Sequence, residues 1–153
     1  MQPSIPGDSG RLSPLRVLSL ECEWTELAGY LSGLHGLPYY AARVHWGLDE
    51  SSIGDMERSL TEIARRTVKG KNAEQTARRL ATIAAMEAYA PRRACTALDK
   101  SVMMGCSLRG WHRKHRRQYE ALWDEFSIAL GEAYYHIIKT QRNGRVRANI
   151  THN

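Results

Sequence analysis

Gly105-Cys106-Ser107-Leu108-Arg109-Gly110-Trp111 decides how this chain is read, together with Leu122, eleven residues after Trp111, and then Phe126 and Ala129. A small residue leads in, Ser107 can cap a helix, and Trp111 anchors that helix in a core. Leu122, Phe126 and Ala129 then fall at helical spacing on the next. The pattern predicts two motif helices, roughly Ser107 to His115 and Gln118 to Lys139. Leu108, Trp111 and His115 face inward from the first, and Leu122, Phe126, Ala129 and Leu130 from the second, with Val102 and Met103 closing the third side. This is the spacing of a helix-turn-helix. At the expected turn stands Arg116-Arg117, where glycine is usual because its positive φ costs nothing.

Working outward, the other segments also carry helical periods. Val17, Leu20, Trp24, Leu27, Leu31 and Leu34 follow a Ser13-Pro14 start and end at Gly33, Gly36 and Pro38. Tyr39 to Leu48 is aromatic and β-branched enough for a strand, yet Tyr40, Val44 and Leu48 recur at i, i+4, and it is read as helix. A helix capped at Ser51-Ser52 runs to about Lys69 with Ile53, Met56, Leu60, Ile63 and Ala64 on one face. Gly70 stops it, and Asn72 can cap an alanine-rich helix from Ala73 to Ala90 through Ala77, Leu80, Ile83, Ala84 and Ala88. Pro91 breaks that helix, and Arg92 to Met104 makes another through Ala94, Leu98, Val102 and Met103. The fold class is therefore all-α: a small helical domain with a C-terminal helix-turn-helix. Residues 1–12, rich in Pro, Gly and Ser, read as a flexible N-terminus, residues 13–139 as a single helical domain, and residues 140–153 as a basic tail.

With 153 residues, 42% hydrophobic and 25% charged, the chain has the composition of one ordinary globular domain. Its net charge of +6 is unevenly spread. Residues 1–60 carry four Lys/Arg against eight Asp/Glu, whereas residues 61–153 carry eighteen against eight. Within residues 91–117 the positives are Arg92, Arg93, Lys100, Arg109, Arg113, Lys114, Arg116 and Arg117, opposed by Asp99 alone. Such a run repels itself unless a polyanion neutralises it, which points to double-stranded DNA as partner. On the second motif helix Gln118, Tyr119, Glu120, Trp123 and Asp124 are the groups that could reach base edges. Glutamine can pair bidentately with adenine, and a carboxylate can accept from cytosine. Trp123 and Asp124 serve equally well as packing and capping groups.

The acidic part, residues 1–60, concentrates aromatics at Trp24, Tyr30, Tyr39, Tyr40 and Trp46, and residues 13–90 read as the protein-interaction part of the domain. Such rings build cores and, where exposed, protein interfaces, so Trp24, Tyr39, Tyr40 and Trp46 are candidate protein-interaction residues. Catalysis is not expected, because the carboxylates sit on Lys- and Arg-rich helices where they form surface pairs. Cys22, Cys95 and Cys106 are widely spaced and form no CxxC pair, and His112, His115 and Cys106 lack a fourth ligand, so neither a disulfide framework nor a metal site is expected. No cofactor is expected either, since no glycine-rich phosphate loop occurs. No run of eighteen apolar residues and no signal-peptide pattern is present, and the reading is a cytoplasmic protein with no membrane partner.

Gly105-x-Ser107-x-Arg109-x-Trp111, continuing into Tyr119-Glu120-x-Leu122-Trp123 and Phe126-x-x-Ala129-Leu130, resembles the region-4 type helix-turn-helix of sigma factors, a motif also found in Q-type late-gene antiterminators of bacteriophages. The resemblance covers residues 92–138 and, in outline, the first ninety residues, with their tryptophan-bearing helix from Leu15 to Leu34. It implies a factor that docks on a promoter-proximal DNA element in the host bacterial cytoplasm and loads onto paused RNA polymerase that still holds sigma. Polymerase would then read through terminators. The basic half would seize DNA or the nascent RNA, and the acidic, aromatic half would grip polymerase. The cysteine-rich zinc segment of the longest Q proteins is not found here. The other readings are a helix-turn-helix repressor or activator at an operator, expected as a homodimer, and a protein-binding antagonist of a host factor.

Overall fold

The structure, a computed structural model, describes residues 24–90 and 95–151, with side chains described over 27–90 and 95–144. The expected flexible N-terminus, the helix start at Ser13-Pro14, the break at Pro91, and Arg92, Arg93 and Ala94 lie outside the described residues. Among the described residues every regular element is helical: α1 Trp24–Tyr30, α2 Leu37–His45, a 3-10 turn Glu50–Ser52, α3 Ile53–Thr67, α4 Ala73–Tyr89 and α5 Ala97–Met104. The sixth helix, α6, is one continuous run: Leu108–Gly110, a π-wound Trp111–His115, and Arg116–Thr151. The fold is all-α. No helix among the described residues is long and apolar enough to cross a membrane.

Local signals explain most of these boundaries. Gly33 and Gly36 adopt φ of 84° and 69°, which an L side chain rarely takes, and Leu37-Pro38 then starts α2. The stretch around Tyr39 and Tyr40 is helical, as read. The cap ahead of α3 is Asp49 rather than a serine. Its carboxylate accepts from the Ser51 amide at 3.1 Å and from the Ser51 and Ser52 hydroxyls at 2.6 Å each. Burial would raise the Asp49 pKa, but these hydroxyls and the Arg43 guanidinium, 2.8 Å away, hold it below its ordinary value. Asn72, by contrast, makes no side-chain capping bond to α4.

The faces read from periodicity are the ones that bury. Met56, Leu60 and Ala64 of α3 meet Ala77, Leu80, Ile83, Ala84 and Ala88 of α4, with Ala41 and Val44 of α2, in the larger of two cores. The alanines let α3 and α4 approach closely, and these two helices make the most extensive pair among the described elements. Each fully buried Leu, Ile or Met here contributes about 1.5–3 kcal/mol. A smaller core joins Leu27 and Leu31 near α1, Ala42 of α2, and Ala133 and Ile137 of α6. Helix α6 is thus the spine: Trp111, Tyr119, Leu122, Phe126 and Ala129 serve the first core, and Ala133 and Ile137 the second.

Four expectations are corrected. The backbone does not turn at Arg116-Arg117; Arg116 has φ −56° and ψ −46°, and its amide bonds the Trp111 carbonyl within the π turn. The expected tail from residue 140 is helical to Thr151, because it continues the spine. Helix α5 starts at Ala97 rather than Arg92, set by a capping box in which the Thr96 hydroxyl and Asp99 carboxylate each accept the other's amide at 3.1 Å. Leu98, Val102 and Leu108 face solvent rather than the core, Val102 with 72% of its surface exposed.

Exposed ion pairs tie α3 to α4: Arg65 grips the Glu74 carboxylate through two bonds of 2.7 and 2.6 Å, and Arg78 adds one of 3.0 Å. The Arg65 hydrogen bonds lower the Glu74 pKa to about 2 against some desolvation, with Arg78 helping. A carboxylate depressed on folding gives stability that is whole above its unfolded value of 4.5 and lost as pH falls through about 2. An NMR titration of the Glu74 carboxyl is expected to show a midpoint near 2, and Glu74→Gln should flatten the acid dependence of unfolding in that window. An ordinary midpoint would show that the clamp does not form in solution.

Candidate nucleic-acid interface

A helix-to-helix junction does exist in the basic region, one motif earlier than the sequence suggested. Helix α5 ends in a left-handed Gly105 at φ 69° and ψ 33°. The Gly105 amide bonds Val102 O and the Cys106 amide bonds Ser101 O, both at 3.0 Å, which is the paired closure of a Schellman motif. Arg79 of α4 donates to the Met104 carbonyl at 2.7 Å, pinning the turn to the larger core. Ser107 then caps α6, its Oγ accepting the Gly110 amide at 3.0 Å. Gly105-Cys106-Ser107 thus joins α5 to α6, and no linker stands at Arg116-Arg117.

From this junction α6 presents two opposite faces. Inward go Trp111, His115 and Tyr119, four residues apart each time, a spacing that overshoots the α-helical repeat of about 3.6. The wider π turn over Trp111–His115 takes up part of the overshoot and brings the three more nearly into line. Tyr119 is 3% exposed and donates to Glu87 Oε1 at 2.8 Å, while the Trp123 indole donates to the Tyr119 hydroxyl at 2.8 Å. Lys100 of α5 pairs with the same Glu87 oxygen at 2.8 Å and lies 4.4 Å from the Tyr119 ring centroid and 5.8 Å from that of Trp111. Burial first, and then the Glu87 charge, push the Tyr119 pKa far up, so the phenol keeps its proton. Gln118 is half-buried, with its amide oxygen 3.1 Å from His115 Nδ1.

Outward go Arg109, His112, Arg113, Lys114, Arg116 and Arg117, all exposed within the first turns of α6. Arg116 shares its charge with Glu120 at 3.0 Å, and the exposed Asp124 and Glu125 close the cationic stretch. The structure therefore brings together Arg109, Arg113, Lys114, Arg116, Arg117 and Glu120 from the expected DNA-binding set. It removes Tyr119 from that set, since a duplex cannot reach it, and commits Trp123 and Gln118 mainly to interior contacts. Arg92 and Arg93 lie outside the described residues. His112, which its cationic neighbours mark in the sequence as a phosphate-facing or packing group, is exposed and joins the outward stripe, at i, i+3 from Arg109 and i, i+4 from Arg116.

Three of the candidate protein-interaction rings, Tyr39, Tyr40 and Trp46, are half-buried. Tyr39 and Trp46 lie half-buried against the smaller core and Tyr40 against the larger, with Arg43 stacked 5.3 Å over the Tyr39 ring. Helix α1 includes Trp24, whose side chain is outside the described set. No family model, no curated protein and no solved structure matches this chain.

Two substitutions test the junction. A Cβ at Gly105 would lie 2.8 Å from Arg79 Nη1 on a backbone that disfavours it, so Gly105→Ala should cost about 1–3 kcal/mol in denaturant unfolding. Tyr119→Phe strips Glu87 and the Trp123 indole of a partner and should cost about 1–3 kcal/mol. A neutral result for both would mean that the α5–α6 corner is not built as described.

Proposed function

We propose that this protein binds double-stranded DNA through a helix-turn-helix made of α5, the Gly105–Ser107 turn and the first turns of α6. In that arrangement α5 crosses the phosphate backbone and α6 enters the major groove by its N-terminal end. One observation carries the reading: the five arginines and lysines from Arg109 to Arg117 all point away from the core, while Trp111 and His115, interleaved with them, point into it. A face of one charge sign gains nothing from folding, whereas displacing counterions from a polyphosphate rewards it. Arg109 and Arg113, nearest the capped end, are the groups best suited to guanine edges, a role that replaces the one expected of Gln118 and Tyr119.

The biological setting we propose is transcription antitermination, supported by the likeness of the Gly105 to Trp111 stretch to the sigma region-4 and Q-type motif. With the turn moved to Gly105, that likeness falls on the residues that make the corner. Loading onto sigma-bearing polymerase in the bacterial cytoplasm belongs to the same proposal.

Duplex binding followed by fluorescence anisotropy across a salt series tests the first part. Arg113→Glu with Arg117→Glu should weaken binding to every sequence by tenfold or more and flatten the logarithmic salt slope by about 2. Unchanged affinity would overturn DNA binding by this face. For the second part, a purified transcription reaction with a downstream terminator should show increased read-through only on templates that keep the promoter-proximal site. Repression of initiation without read-through would assign the protein to operator binding instead.

A further inference from the structure

Beside the corner, the α3–α4 loop and the start of α4 face the Gly105 turn across an open cleft of about 260 Å³. Lys69, Lys71 and Arg79 line it from one side and Lys114 of α6 from the other, with Asn72 and Thr76 at the first turn of α4. Among the described residues no carboxylate contributes to its wall. The larger cleft between α3 and α4, of about 440 Å³, differs in kind, since Glu57 and Glu62 there offset Arg58, Arg65 and Arg78. Lys69, Lys71 and Lys114 are exposed, and Arg79 is fixed by its bond to the Met104 carbonyl. The positive end of the 17-residue α4 opens here as well, with its Asn72 cap making no side-chain bond.

We infer that this cleft is a second phosphate site for the same duplex, so that Lys69 and Lys71 hold a backbone strand flanking the groove that takes α6. The inference rests on the DNA-binding reading above and deepens it. Lys114 belongs to both the cleft and the outward face of α6, which makes the two surfaces continuous. A phosphate seated between Lys71 and Lys114 would fix the depth and tilt of α6 in the groove, the positioning task that backbone contacts perform. The α3–α4 hairpin then takes part in binding and is more than a support for the corner.

The test compares the wild-type protein with Lys69→Gln/Lys71→Gln and with Lys139→Gln/Arg142→Gln. The second pair removes the same charge from exposed positions beginning about 38 Å beyond Lys114 along α6, at about 1.5 Å per residue. Anisotropy with a duplex oligonucleotide is measured over a salt series, and thermal melts check that both variants stay folded. The cleft variant is expected to bind about tenfold more weakly at low salt, with a logarithmic slope shallower by 1 to 2, while the control variant stays within about twofold of wild type. Wild-type affinity and slope in the cleft variant would overturn the inference and leave DNA binding by α6 standing. Equal losses in both variants would also overturn it, as an effect of net charge alone. Absence of duplex binding by the wild-type protein would remove the DNA reading and this inference together.

Discussion

Glu87 is a carboxylate inside a helical core, and it survives there because two groups meet one of its oxygens. Lys100 arrives from α5 and the Tyr119 hydroxyl from α6, both at 2.8 Å. A buried carboxylate left without such partners is expensive, and breaking a buried pair costs about 3–5 kcal/mol. The demand of Glu87 therefore fixes where α5 and α6 sit on α4. Lys100 also satisfies the faces of Tyr119 and Trp111, so the same ammonium closes the wall behind the corner. One positive charge of the basic segment, Lys100, is consumed inside the molecule, and Arg109, Arg113, Lys114, Arg116 and Arg117 are left to face outward.

Everything on the cationic face follows from which residues of α6 must turn inward. Trp111, His115 and Tyr119 share the buried face of α6, the widening at Trp111–His115 brings them closer into line, and Arg109, Arg113, Lys114 and Arg117 project from the exposed side. The Schellman closure at Gly105 and the Arg79 bond to Met104 aim the start of α6 away from the core. Rigid support behind an exposed cationic end is what a groove-reading helix requires. The long remainder of α6 has a different task, carrying Ala133 and Ile137 to the second core beneath α1 and α2.

Much of this was legible in the chain, for physical reasons that differ by segment. Helices α3 and α4 read correctly because their buried faces repeat at the helical period over four turns, as Met56, Leu60 and Ala64 or Ala77, Leu80 and Ala84 do. The corner was misplaced because a hydrophobic pattern shows that two stretches are helical without showing whether they are joined. The local chemistry did contain the answer: Gly105 offers the positive φ, Ser107 the cap, and Thr96-x-x-Asp99 the capping box of α5, whereas Arg116-Arg117 offers no turn-forming feature. The interior role of Tyr119 was beyond reach, since its partner Glu87 lies 32 positions earlier. For the same reason Val102 and Leu108 were assigned inward, since spacing gives a helix face but not which face a neighbour covers.

Backbone amide shifts on titration with a duplex oligonucleotide test the central claim most directly. If the outward face of α6 is the DNA surface, the amides from Gly105 to Arg117 move first and furthest, and those from Ala133 to Lys139 stay in place. Shifts confined to the far end of α6 or to α1 and α2, or none at a concentration where binding is saturated, would contradict it.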